Sequence, residues 1–174
     1  ELISEAEAKR IEPRAITVER ALWSPTTASA DPAQVIASLA RDATDAGIIL
    51  RTGIAYRSGG PGRVVTSAGE MVADYIINCA GLYADRVAKD FGFGKRYTIL
   101  PFKGLYLYSD EPAGALKTNI YPVPDLKFPF LGVHFTVTVD GHTKIGPTAI
   151  PAFWREHYTG MERFDVTELI EVTY

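Results

Sequence analysis

The chain has 174 residues, with 18 Lys+Arg against 21 Asp+Glu for a formal net charge of −3, 47% hydrophobic residues and one cysteine. That composition supports one sizeable core or two small ones, and a lone Cys79 allows neither an intramolecular disulfide framework nor a cysteine-rich zinc cage. The slightly acidic balance speaks against a nucleic-acid or anionic-membrane surface, and no apolar run approaches the roughly 20 residues of a bilayer span.

In chain order, ELISEAEAKRIE (residues 1–12) is compatible with a short helix stopped by Pro13, and AITVERALWSP has the β-branched and aromatic content of a strand closed by Pro25. Asp31 as N-cap and Pro32 in the first helical position open the clearest helix. Val35, Ile36, Leu39, Ala40 and Ala43 recur along it at spacings of three and four, and Gly47 ends it. IILRT follows as a predicted strand, giving half of a βαβ unit. IAYRS and RVVTS flank Gly59-Gly60-Pro61-Gly62 and predict a hairpin, with a further turn at Gly69-Glu70. Tyr75 to Cys79 reads as a buried strand of the parallel type. It enters Ala80-Gly81 and then a helix, LYADRVAKDFG, with Leu82, Val87 and Phe91 on one side.

Beyond Gly94 short aromatic and β-branched runs alternate with Pro, Gly and Asp, which predicts an antiparallel sheet. Asp140-Gly141 marks a hairpin in it, and the tail returns to helical spacing. The expected class is α/β (α+β): a lead-in over 1–29, a partial α/β unit over 30–93, and an antiparallel-sheet unit with a C-terminal helical segment over 94–174.

Candidate chemistry sits in two places. Small residues at Cys79-Ala80-Gly81, where a strand meets a helix, let backbone and ligand approach closely beside free N–H groups, although a plain turn uses glycine for sterics alone. No GxGxxG or GxxxxGK[ST] occurs in these residues, and one glycine is not a fingerprint. Cys79 itself reads as a small packing residue. The Pro-, Gly- and aromatic-rich segments of the second half could collect polar groups at strand ends. His134 is the best acid–base candidate there, against the alternative of a hydrogen-bonded core histidine. Lys103 and Arg155 could clamp a carboxylate, the arginine in bidentate fashion; most such residues are surface charges. His142 and His157 are expected to face solvent. No pair has metal-ligand spacing, so no metal is expected, and no nucleophile elbow is present.

Residues 74–92, DYIINCAGLYADRVAKDFG, resemble a cofactor-contact segment of the D-amino-acid-oxidase-like FAD-dependent oxidoreductases. NIYPVPDLKFPFLGVHFT (119–136) and GPTAIPAFWREHY (146–158) resemble the L-2-hydroxyglutarate oxidase/dehydrogenase branch. The chain differs from that branch at Lys103-Gly104-Leu105-Tyr106, where Arg-Gly-Glu-Tyr is usual, at Leu126-Lys127, and at Thr148 in place of Asn. The resemblance implies a discontinuous Rossmann-like FAD domain and an antiparallel-sheet substrate domain. It further implies oxidation of a small 2-hydroxy acid, with the hydroxyl proton passing to a base and the α-hydride to flavin N5.

By position, Ala55, Ala80 and Gly81 would contact FAD and His134 would act as base. Lys103, Tyr106, Tyr121, Thr148 and Arg155 would line the substrate site. The resemblance also places a GxGxxG before residue 12 and another FAD-contacting segment after residue 158. The chain, which starts at Glu1 and ends at Tyr174 with no signal-peptide pattern, is thus expected to be a middle portion that binds FAD weakly or not at all and is inactive alone. The electron acceptor is not assigned, a cytoplasmic location is expected, and membrane association of the whole protein is left open. Competing readings are a non-catalytic binding module, a superfamily member acting on glycerol 3-phosphate or an amino acid, and a nicotinamide-dependent dehydrogenase, which has no positive support in the second half.

Overall fold

The computed structural model describes residues 1–128, 130 and 132–173. It is a mixed α/β structure whose ladders, among the described residues, are all antiparallel. The chain forms two compact units, each made of two stretches: Glu1–Ala46 with Gly104–Ala149, and Gly47–Lys103 with Ile150–Tyr174. These boundaries differ from those expected at 29/30 and 93/94. The helix after Asp31 belongs with the first stretch, and residues 94–103 and the C-terminal segment belong with 47–93.

In the first unit, β1 (Leu2–Ser4) precedes α1 (Glu5–Ile11) and pairs with β2 (Arg20–Leu22). The N-terminal helix therefore starts later than its periodicity suggests, because Ser4 and Glu7 form a capping box that fixes its first turn. Glu12, just past α1, is buried, and its two carboxylate oxygens accept from the Arg14 N–H (2.9 Å) and the Lys117 N–H (2.7 Å). It thereby ties the two stretches of the unit together beside the buried Leu116. α2 (Pro32–Asp45) forms as the sequence predicts, with the Asp31 carboxylate accepting from Ala33 N–H, proline in the first turn and Gly47 at φ +81° beyond its end.

The rest of this unit is a three-stranded sheet formed by its second stretch. The second unit contributes β3 (Tyr56–Gly60), β4 (Arg63–Thr66) and β5 (Gly69–Val72), a meander whose first turn carries Gly62 at φ +75°. A 3₁₀ turn at Gly81–Tyr83 leads into α3 (Ala84–Asp90), and β6 (Phe102–Lys103) pairs with β10 (Ile150–Pro151). α4 (Val166–Thr173) closes the unit, whose buried residues include Val87, Pro101, Ala152, Trp154, Arg155 and Glu168. In the first unit β7 (Leu107–Tyr108), β9 (Thr143–Gly146) and β8 (His134–Val137) lie in the order β7-β9-β8, with the predicted turn at Gly141 (φ +84°) between β8 and β9.

The strands expected at 48–52 and 75–79 are not formed. Neither segment has a ladder partner among the described residues, and most of their apolar side chains face solvent, Tyr75 at 91% and Ile77 at 85% exposure, with Ile76 half-buried. A strand exists only through its neighbour's N–H and C=O groups, so apolar content alone does not make one. Cys79 is exposed and free rather than packed.

Candidate active site

In the first unit the β8–β9 register pairs His134 with Gly146. A Cβ on Gly146 would lie 2.7 Å from both the Tyr106 ring and the Leu105 carbonyl oxygen, so glycine is what lets that ring cross the strand beside His134. Gly104 has the matching role, since a Cβ there would stand 2.5 Å from Pro147. The two Gly-containing segments are then cross-linked at Thr148. Its Oγ1 accepts from Leu105 N–H at 3.0 Å and its own N–H donates to the Leu105 carbonyl at 3.1 Å.

His134 is buried at 6% exposure and its ring stacks on Tyr121, with centroids 4.3 Å apart and planes at 23°. Its Nδ1 lies 2.9 Å from the Gly132 carbonyl oxygen. A carbonyl can only accept, so Nδ1 carries the hydrogen, and in the neutral ring Nε2 holds the lone pair. Lys144 stands two residues from Gly146 on β9 and therefore on the same face, with its ammonium 4.7 Å from the Tyr106 ring centroid. The sequence reading missed Lys144; the signal was the two-residue spacing to Gly146 in the strand TKIG. The fold thus gathers His134, Tyr106, Tyr121 and Thr148 at one end of β7-β9-β8 and adds a cation.

The remaining candidates lie in the second unit. Gly81, at φ +53°, is open: a Cβ built there would meet no heavy atom within 4 Å. Its turn is braced by Asn78, whose Oδ1 accepts from Ala80 N–H (3.1 Å) and whose Nδ2 donates to the Ala84 carbonyl (2.8 Å). Apolar content places Asn78 in a strand, whereas an Asn two residues before an Ala-Gly turn is the signal for this brace. Ala55 is less available than expected. Its N–H donates to Ser67 Oγ (3.0 Å) and its carbonyl accepts from Ser67 N–H (2.8 Å), which leaves one carbonyl lone pair. Lys103 is half-buried in β6 opposite Ile150.

Arg155 requires a correction: it is neither a substrate clamp nor a surface charge. Its side chain is 1% exposed, and its guanidinium donates to both Asp85 oxygens (2.7 and 2.8 Å), the Leu82 carbonyl (2.5 Å) and Glu171 (3.3 Å). Donors so engaged cannot bind a ligand carboxylate. Arg86 bridges Glu168 (2.9 Å) and Glu171 (3.0 Å), and Lys89 lies 3.8 Å from Asp85. Burial pushes the Asp85 carboxyl up, but hydrogen bonds from Arg155, Ile99 N–H and Thr98 outweigh it and hold the group well below the usual carboxylate range. For Glu171 burial also pushes upward and is outweighed by Thr98, Arg86 and Arg155. His157 is not solvent-facing either, being half-buried and stacked on Trp154 at 3.7 Å.

Comparison with known proteins places this geometry. The chain is 36% identical over 188 residues to human mitochondrial L-2-hydroxyglutarate dehydrogenase, covering 98% of this chain and 40% of that protein. It is 38% identical over 171 residues to the Caenorhabditis elegans protein of the same name, covering 91% of this chain and 39% of that one. The chain thus spans about two-fifths of the length of these relatives. In fold it resembles glycine oxidase from Geobacillus kaustophilus (TM-score 0.67, 21% identity, 99% of this chain and 45% of that one). It also resembles L-proline dehydrogenase from P. horikoshii (TM-score 0.68, 21% identity, 99% and 46%). The model of the DAO family, FAD dependent oxidoreductases, matches residues 1–172, and the chain belongs to that family.

Proposed function

We propose that the whole protein oxidises a 2-hydroxy acid, L-2-hydroxyglutarate foremost, to the 2-oxo acid. The observation that carries this reading is the His134 arrangement: a buried imidazole with its Nδ1 hydrogen bonded to Gly132, its plane fixed by Tyr121, and a cation on the same sheet face. The names of the relatives support the substrate class.

The residues of the second unit fit a cofactor at the Ala80–Gly81 turn, because the backbone at Gly81 is open and Asn78 holds the turn in shape. Ala55 would meet an adenine through its remaining carbonyl lone pair. Bound FAD supplies a two-electron acceptor for the α-hydrogen and its electron pair. His134 Nε2 takes the hydroxyl proton as the carbonyl forms, and the Gly132 carbonyl stabilises the resulting imidazolium through Nδ1–H. Lys144, Thr148 and Tyr106 orient the carboxylates.

Assay of the whole protein with L-2-hydroxyglutarate and a dye acceptor tests this. Turnover is the expected result; turnover with glycerol 3-phosphate or an amino acid instead moves the assignment within the family. Among the described residues no helix is long and apolar enough to cross a membrane, and a cytoplasmic location is part of the same proposal, checked by fractionation.

A further inference from the structure

We infer that Arg155 is a positioning residue for the cofactor, holding the Ala80–Gly81–Leu82 turn in the shape that receives it. This rests on the reading that Ala80 and Gly81 approach FAD. One guanidinium nitrogen, Nη1, donates both to the Leu82 carbonyl inside the turn (2.5 Å) and to Asp85 Oδ1 in the first turn of α3 (2.7 Å). The turn is thereby fixed to the helix that follows it by a group outside both.

Both Nη atoms of Arg155 are engaged, while its buried Nε lies 4.0 Å from Glu168 Oε1 without a hydrogen bond. Its backbone N–H donates to Glu168 Oε2 (2.7 Å), and Nη2 reaches Asp85 Oδ2 and Glu171. The Tyr83 ring lies 5.8 Å from the guanidinium carbon. Asp85 in turn accepts from Ile99 N–H (3.0 Å) and Thr98 (3.1 Å). Three cations, Arg155, Arg86 and Lys89, are set against three carboxylates, Asp85, Glu168 and Glu171, so the cluster is neutral as a whole. Apolar residues of the same volume would hold the helices together as well as a buried ion cluster does. They would not hold the Leu82 carbonyl at a set point, which a rigid fork does. Asn78 and Arg155 grip the turn at different atoms, Ala80 N–H and Ala84 carbonyl for the first and Leu82 carbonyl for the second. Gly81, between them, is left without a close neighbour.

The test uses the whole protein, freed of FAD and titrated with it by quenching of flavin fluorescence, with visible circular dichroism of the bound flavin and the thermal midpoint of the FAD-free form measured alongside. Arg155→Lys keeps a buried cation beside Asp85 and loses the fork that reaches Leu82 at the same time. It is expected to weaken FAD binding by about tenfold or more and to alter the flavin dichroism, the size expected for one charge-assisted hydrogen bond. Glu171→Gln loosens the cluster away from the turn; it should lower the thermal midpoint and leave the FAD dissociation constant unchanged. Wild-type affinity and dichroism in Arg155→Lys, with only the midpoint lowered, overturn the inference and leave the flavoprotein reading standing. Equal losses of affinity in Arg155→Lys and Glu171→Gln overturn it as well, since the effect then follows stability. A wild-type protein that binds no FAD overturns the flavoprotein reading and this inference together.

Discussion

In one unit Arg155, 1% exposed, shares its guanidinium among Asp85, Glu171 and the Leu82 carbonyl. In the other His134, 6% exposed, uses Nδ1 on the Gly132 carbonyl and lies flat on Tyr121. Both are buried basic groups, and burial alone would suggest the same role for each. They differ in what their polar atoms face: both Nη atoms of Arg155 are engaged and only its buried Nε lacks a hydrogen bond. Arg155 faces carboxylates that neutralise and orient it, so it can only hold geometry. The His134 bond defines its tautomer and leaves Nε2 with a lone pair, which is what a proton acceptor needs.

The contrast can be broken most forcefully at His134. In the whole protein His134→Ala should lower kcat by roughly 10²–10⁴, beyond any fall in the thermal midpoint from truncating a buried ring; a fall in the midpoint with turnover intact would make it a core histidine instead. Arg155→Met should act the opposite way first, costing about 3–5 kcal/mol of unfolding free energy by leaving the Asp85 carboxylate without its guanidinium partner, as read by denaturant titration.

The acid profile sharpens the difference further. Asp85 and Glu171 are held below the usual carboxylate range in the folded state, so their contribution is fully present above the unfolded values near pH 4 and is lost as pH falls toward the folded ones. Thermal midpoints should therefore be level from about pH 8 to 5 and drop below about pH 4, where the gap between wild type and Arg155→Met narrows. Lys144→Ala should raise KM for the hydroxy acid by about tenfold with a smaller change in kcat, the signature of lost ground-state binding. The smallest effect is expected at the exposed Arg14–Glu111 pair, where Arg14→Ala should leave the midpoint unchanged despite two 2.8 Å bonds, because solvent screens it.

Much of the local architecture was legible. Asp31, Pro32 and Gly47 bound α2, and Gly59 to Gly62 and Asp140-Gly141 mark hairpins, because caps and turns are chosen by residues a few positions apart. The strands expected at 48–52 and 75–79 failed for the converse reason, since apolar content does not supply a ladder partner. In the candidate site, His134, Tyr106, Tyr121 and Thr148 could be picked out as residue types near glycines and prolines. That Gly146 brings the Tyr106 ring to His134, and that Lys144 shares their face, depends on a register no local signal encodes.

The sequence by itself determined the family, the mixed α/β class, helix α2 and the two hairpins, all of which rest on short-range chemistry or on matching blocks of residues. Only the tertiary structure decided what the charged residues do. Arg155 meets Asp85 across 70 positions and Leu82 across 73, and Glu12 meets Lys117 across 105. Whether a buried charge is a binding group or a brace depends on how many of its donors are already engaged. That is a property of the partners folding brings to it rather than of the residue.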